Sequence, residues 1–297
     1  MELALRVVGL SASLVLGTVT TVYFAPRSVK RKLLQATMLK EGDPELDTSR
    51  KYEALPHGKL QSLARNVWTV SGTLPQPGPG FNRNMTVWRV PDSSDLVIHS
   101  PICLDKETRA ALEDLGTVAC VIVPNMHHRL DEHAYREAYP EASFVCPANM
   151  AKKVTSCKTN FTVTAEEAAS KFGFQALEPD AQIDFDELVY LFPVEKSAAG
   201  RQVAVFNDLL WNIKEEKADF VSSLVGSATG HLGMTAIGRI MCPDLAHLRR
   251  WIEANFVKNE SVRLEAIVVA HGDVVTADEI PAQLAKAMQS MTTVVDA

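Results

Sequence analysis

From about Pro56 onward the chain breaks into short apolar runs separated by turn-forming residues, a pattern of alternating strands and helices. Val67–Val70 predicts a strand, and so does Leu96–Ile98. Met85–Val90 predicts another, because Thr86 and Trp88 alternate there with Val87 and Arg89. Between the first two lies Pro75-Gln-Pro-Gly-Pro-Gly80, which cannot enter a sheet interior. Asp105–Leu115 predicts a helix capped by Asp105 and closed by Gly116. Strands over 118–123 and 143–146 bracket a helix from Asp131 to Tyr139, which Pro140 stops, and a short helix follows over Ala148–Val154. Residues 157–182 carry no clear period. Glu187–Phe192 and Gln202–Phe206 predict neighbouring strands joined by a turn at 197–200; Ala266–Ala270 is a further strand, and helices fit 243–255 and 277–291. Early strands are linked as hairpins and later ones alternate with helices. The fold class is therefore α/β (α+β), with two mixed sheets and helices outside them rather than one doubly wound parallel sheet.

The segment before Pro56 follows a different pattern. Val7–Ala25 carries no charge and is long enough to cross a bilayer core of about 30 Å as a helix. Arg27, Lys30, Arg31 and Lys32 follow it, which places the body of a single-pass protein on the cytosolic or matrix side. A mitochondrial presequence is the competing reading; Glu2 and the long uncharged run argue against it. The expected organisation is a membrane anchor over 1–26, a polar tether over 27–55 with helix formers at Arg31–Lys40, and a folded domain over 56–297. The lipid bilayer is then a partner through residues 7–25.

Composition narrows the function classes. An apolar share of 46% with 22% charged residues excludes bulk disorder. A net charge of −6 without a basic stripe leaves nothing to hold nucleic acid. The five cysteines are widely spaced and contain no Cys-x-x-Cys pair, which excludes a zinc knuckle and fits a reducing compartment.

The candidate chemistry sits where apolar strands end. Val121–Val123 leads into Pro124, Asn125 and the pair His127–His128; Val203–Phe206 leads into Asn207 and Asp208; Ala266–Ala270 leads into His271 and Gly272. In α/β proteins ligands bind beyond the carboxyl ends of strands, so three such ends bearing His or Asp point to one shared site. Asn125, Asp131, His133 and His99 are candidates to line or brace it. Each feature also has a plain structural reading: a histidine-shaped turn, an Asx-turn at Asp208, and a glycine needed for positive φ at Gly272.

The motifs Arg83-Asn-Met-Thr-Val-Trp88, Ile98-His-Ser-Pro101, Val123-Pro-Asn-Met-His-His128, Asn207-Asp-Leu-Leu-Trp-Asn212 and Ala270-His-Gly272 resemble, in order and spacing, the metallo-β-lactamase-like superfamily. The resemblance covers roughly residues 55–280 and implies a four-layer α/β/β/α sandwich with the site at the sheet edge. In that family's His-x-His-x-Asp-His loop, the best register places Asn125, His127, Arg129 and Leu130, so only the second position is kept. No histidine lies between His133 and His231, where the family carries another ligand. The resemblance thus implies a reduced metal set: His127 or His128, Asp208 as the bridging carboxylate, and His271. Two histidines and one carboxylate hold a single Zn²⁺ or Fe²⁺ with open positions, or no metal at all. Arg129 cannot do the proton work of the aspartate it replaces. Two functions follow: a metal-dependent hydrolase with a mononuclear site, or a non-catalytic descendant that binds a small-molecule or protein ligand.

Overall fold

The computed structural model describes residues 26–38, 53–74, 81–125, 127–151, 161, 163–179, 186–196, 200–217 and 229–291. The strands form two mixed sheets. The first is seven-stranded, in the order β1 (Gln61–Ala64), β2 (Val67–Gly72), β3 (Arg83–Arg89), β4 (Asp95–His99), β5 (Thr117–Ile122), β6 (Ser143–Cys146) and β7 (Val163–Thr164). β1 to β4 pair antiparallel and β4 to β7 pair parallel. The change follows from the connections. Short loops allow hairpins up to β4, whereas α2 (Lys106–Glu113) crosses over to β5 and α3 (Glu132–Ala138) to β6. The second sheet is five-stranded, in the order β12 (Val275–Thr276), β11 (Arg263–Val268), β10 (Arg201–Val205), β9 (Val189–Pro193) and β8 (Gln175–Leu177); only β10 and β11 pair parallel.

The period-2 alternation read from the sequence decides which core each side chain joins. Trp88, Val97, Cys120 and Ile122 pack inward against Tyr190, Phe192, Val203, Val205 and Val268 between the sheets. Their neighbours Val87, Leu96, Ile98 and Val121 point outward, onto Leu112 of α2 and Tyr135 of α3. On the second sheet Leu191, Ala204, Phe206, Ile267 and Val269 face outward, onto α5 (Ala236–Met241), α6 (Leu245–Ile252) and α7 (Ile280–Ser290). Fully burying a Leu, Ile or Phe is worth roughly 1.5–3 kcal/mol, so a one-residue slip of register would invert these faces and be strongly opposed.

Several local expectations are refined. Asp105 caps α2, its side chain accepting from the Thr108 N–H, and Asp244 caps α6 in the same way through the His247 N–H. The aperiodic stretch after 157 contains β7, then α4 (Ala165–Phe172) with a Thr164/Glu167 capping box, then β8. These pieces are too short for hydrophobic period to reveal them. The span expected over 7–25 lies outside the described residues, and among those no helix is long and apolar enough to cross a membrane. Within the segment read as a tether, the helix formers noted from Arg31 belong to helix α1 (Arg27–Met38), which packs against α5. Arg27 donates to the carbonyls of Arg239 and Cys242, and Leu34 leans on the second sheet's outer core. Its few apolar positions were outweighed in the sequence by the charges around them. The described cysteines Cys103, Cys120, Cys146 and Cys242 are buried and in no disulfide.

Candidate metal centre

Three loops leave the carboxyl ends of β5, β10 and β11 and meet between the sheets. The β10 loop is fixed from below. Glu187 is buried, and its carboxylate accepts from the backbone N–H of Asn207 at 2.7 Å, Asp208 at 2.7 Å and Leu209 at 2.9 Å. Burial, and then the charge of Asp208, push the Glu187 carboxyl up to about 8. The clamp turns the Asp208 side chain toward the other two loops.

The β11 loop presents His271. Its Nδ1 lies 2.7 Å from the Asn82 carbonyl, which can only accept, so Nδ1 carries the proton and Nε2 keeps its lone pair. That Nε2 faces Asp208 Oδ1 at 3.5 Å. Burial is the main reason His271 stays neutral, with a pKa lowered to about 4, and the neighbouring His128 adds to it. Asn82 also accepts from the Gly272 N–H, and Asn84 donates to the carbonyls of Val269 and Gly272. Gly272 has φ +104°, and an added Cβ would lie 2.2 Å from the Asn212 backbone, so glycine is required there.

The β5 loop places His128. The Asn125 side-chain oxygen accepts from the backbone N–H of His127 at 2.9 Å and of His128 at 3.2 Å. Its amide nitrogen donates to Asp208 Oδ2 at 2.6 Å. This turn sends His128 inward, with Nε2 at 3.3 Å from Asp208 Oδ1 and Nδ1 at 3.0 Å from the Ser100 hydroxyl. Ser100 reaches it from a left-handed backbone (φ 56°) just after β4. The aligned register favoured His127 at the ligand position, but the same turn leaves His127 exposed. Burial disfavours charge on Asp208, yet the surrounding His128, His271 and His127 hold its carboxyl well below the usual carboxylate range.

His128, Asp208 and His271 thus offer one ligand atom each, all within 4.8 Å of one another. Ligand atoms about 2.0–2.1 Å from a tetrahedral zinc sit roughly 3.4 Å apart, so the observed 3.3 and 3.5 Å edges suit one ion. Two electron-pair donors facing each other, the His271 lone pair and Asp208 Oδ1, are the donor set a cation would satisfy. A second ion has no comparable set among the described residues, because Asn125 and Asn207 donate to the other Asp208 oxygen.

The remaining sequence candidates lie elsewhere. Asp131 is buried against Arg83, Nη2 to Oδ2 at 2.5 Å, and accepts from the Cys103 N–H; it braces the start of α3 rather than the site. His133 is exposed on α3, beside Glu137 at 3.2 Å. His99 is buried between the sheets with its ring 5.1 Å from Tyr190, and burial, followed by the nearby His128, lowers its pKa to about 3. Sequence reasoning passed over Glu187, Asn82 and Ser100. The one available signal was Glu187 at the head of the apolar run 188–192, and the nearby Asp184 and Asp186 masked it.

No family model matches the chain, and no curated protein matches it. Solved structures do. The DIM-1 metallo-β-lactamase exposed to ceftazidime matches with a TM-score of 0.54 at 10% identity, over 81% of this chain and 99% of that one. The FIM-1 metallo-β-lactamase from Pseudomonas aeruginosa, in its mono-zinc form, matches with a TM-score of 0.52 at 11% identity, over 81% and 99%. This chain has a metallo-β-lactamase-like fold. At such identity the likeness concerns the fold alone. Within the metallo-β-lactamase-like sandwich, the His128–Asp208–His271 cluster opens into a cavity of about 270 Å³ walled by Phe81, Leu130, Trp211 and Ile237.

Proposed function

We propose that this protein is a metal-dependent hydrolase with one divalent ion, zinc in the first instance, held by His128, Asp208 and His271. The observation that carries the reading is the buried, neutral His271 with its Nε2 lone pair aimed at the Asp208 carboxylate. A hydrogen bond alone does not explain that pairing, whereas a cation between them does. Bound there, the ion would act as a Lewis acid on a carbonyl and lower the pKa of a water molecule.

The chain's own residues supply the rest. Asp208 brings the negative charge that makes a divalent ion favourable in this buried setting. Glu187 fixes the loop that aims Asp208, and Asn82 fixes the tautomer of His271. Ser100 sets the orientation of the His128 ring. Phe81 and Trp211 pack against the His271 ring, with ring centroids 4.7 and 4.3 Å away, and keep water from its flanks. The FIM-1 relative in mono-zinc form lends support to a one-metal reading.

The test is elemental analysis and hydrolysis assay of the full chain beside an Asp208→Ala/His271→Ala double variant. Near-stoichiometric metal and hydrolysis in the first, both lost in the second, are expected; metal-free, well-folded protein would refute the reading. The uncharged run over 7–25 also supports a single-pass membrane protein whose domain faces the cytosol or matrix. Glycosylation at Asn160 in cells would contradict that orientation.

A further inference from the structure

The cavity in front of the cluster has an unusual division of labour, and it indicates what the site accepts. Its described wall is apolar: Leu74, Phe81, Pro101, Leu130, Trp211 and Ile237. The exposed His127 also shares the lining, and the buried polar groups there are already engaged. Arg83, the only cation among the described lining residues apart from histidine, gives Nη2 to Asp131 and Nε to the Thr73 carbonyl. Ser100 is bonded to His128, and the Thr235 hydroxyl accepts from the Gly238 N–H as a helix cap. Asp208 is taken up by the cluster itself. A formal charge on the part of a ligand that lies against this wall would be surrounded by apolar side chains, and burying it there unpaired costs several kcal/mol.

The volume sets the scale. At about 270 Å³ the cavity falls below the roughly 300–1,000 Å³ of sites for drug-sized ligands. It holds a group the size of a phenyl ring or a short branched chain. Phe81 and Trp211, packed edge to face with centroids 4.9 Å apart, give such a group an aromatic floor next to His271.

We infer that the site takes uncharged carboxylic esters with a compact apolar or aromatic acyl group, the acyl chain lying on the Phe81–Leu130–Trp211–Ile237 wall and the carbonyl directed at the His128–Asp208–His271 cluster. The substrate class rests on the hydrolase reading; the preference for a neutral apolar group rests on the cavity. In hydrolysis, water oxygen bonds to the acyl carbon, the acyl C–O bond breaks, and the alcohol leaves with one of the water's protons while the acid keeps the new oxygen.

The two parts are separated by measuring binding to metal-depleted full-length protein. The probes are propiophenone, a neutral ketone that cannot be hydrolysed, and phenylacetate, an anion of similar size. Saturable ketone binding at least ten-fold tighter than phenylacetate is expected, with Leu130→Lys and, separately, Ile237→Lys each bringing the two within about two-fold. Equal or tighter binding of phenylacetate, or no binding of the ketone, overturns the inference. Neither result depends on whether metal binds. Failure of the hydrolase reading would show instead as a metal-free protein that still prefers the ketone.

Discussion

The loops after β10 and β5 reach the same site by opposite means. The β10 loop is held from beneath by a buried carboxyl group: Glu187 takes three consecutive backbone N–H groups, and Asp208 has little freedom of direction. The β5 loop is held from within by a neutral amide. Asn125 caps the N–H groups of His127 and His128 and touches Asp208 with its other end. A carboxyl that accepts only from backbone N–H groups fixes a backbone whatever side chains it carries. An Asx-type turn also selects which of two adjacent histidines points inward. The proposed metal site therefore depends on Glu187 for the carboxylate and on Asn125 for the identity of the histidine.

Removing the clamp should have the largest effect. Glu187→Ala leaves three buried donors without an acceptor, at roughly 1–3 kcal/mol each, so a loss of about 3 kcal/mol or more in denaturant unfolding is expected, together with loss of bound metal. Glu187→Gln, which keeps an acceptor oxygen, should recover much of the stability. If Glu187→Ala were as stable as the parent, the asymmetry between the loops would be wrong. Asn125→Ala should cost about 1–2 kcal/mol, as for loss of a capping side chain, and weaken metal binding about 10–100-fold, as for an outer partner of a ligand. Metal competition titration reads the second figure directly.

An effect confined to acid pH belongs to the buried wall behind both loops. His99 is held neutral, near pKa 3, against 6.5 in the unfolded chain. Between those values the unfolded chain binds a proton that the folded one does not, so stability falls as pH drops from about 6.5 toward 3. One such group contributes up to about 1.4 kcal/mol per pH unit. His99→Phe should flatten this part of the pH profile of unfolding while leaving stability at pH 8 little changed in slope. An unchanged profile would remove His99 from the account.

How much of this the sequence carried depends on the range over which each signal acts. The strands from β2 to β6 and β9 to β11 were legible because period-2 alternation is local, and the three strand ends named Asp208, His271 and the histidine pair. The choice between His127 and His128 was not legible, since it is made by the Asn125 side chain acting two and three residues ahead in a turn. Asp131 and His133 were expected to line or brace the site. One is withdrawn by Arg83, distant in sequence, and the other by helical phase, which turns it to solvent. Glu187, Asn82 and Ser100 act across the fold on residues far away in the chain, and no local pattern marks such partners. The docking of α1 on α5 was hidden for the same reason.

The most direct measurement is the metal content of full-length protein carrying His127→Ala or His128→Ala, each beside the parent. One equivalent of zinc in the parent and in His127→Ala, with none retained in His128→Ala, is the predicted result. Metal lost from His127→Ala but kept in His128→Ala would contradict the site built from His128, Asp208 and His271.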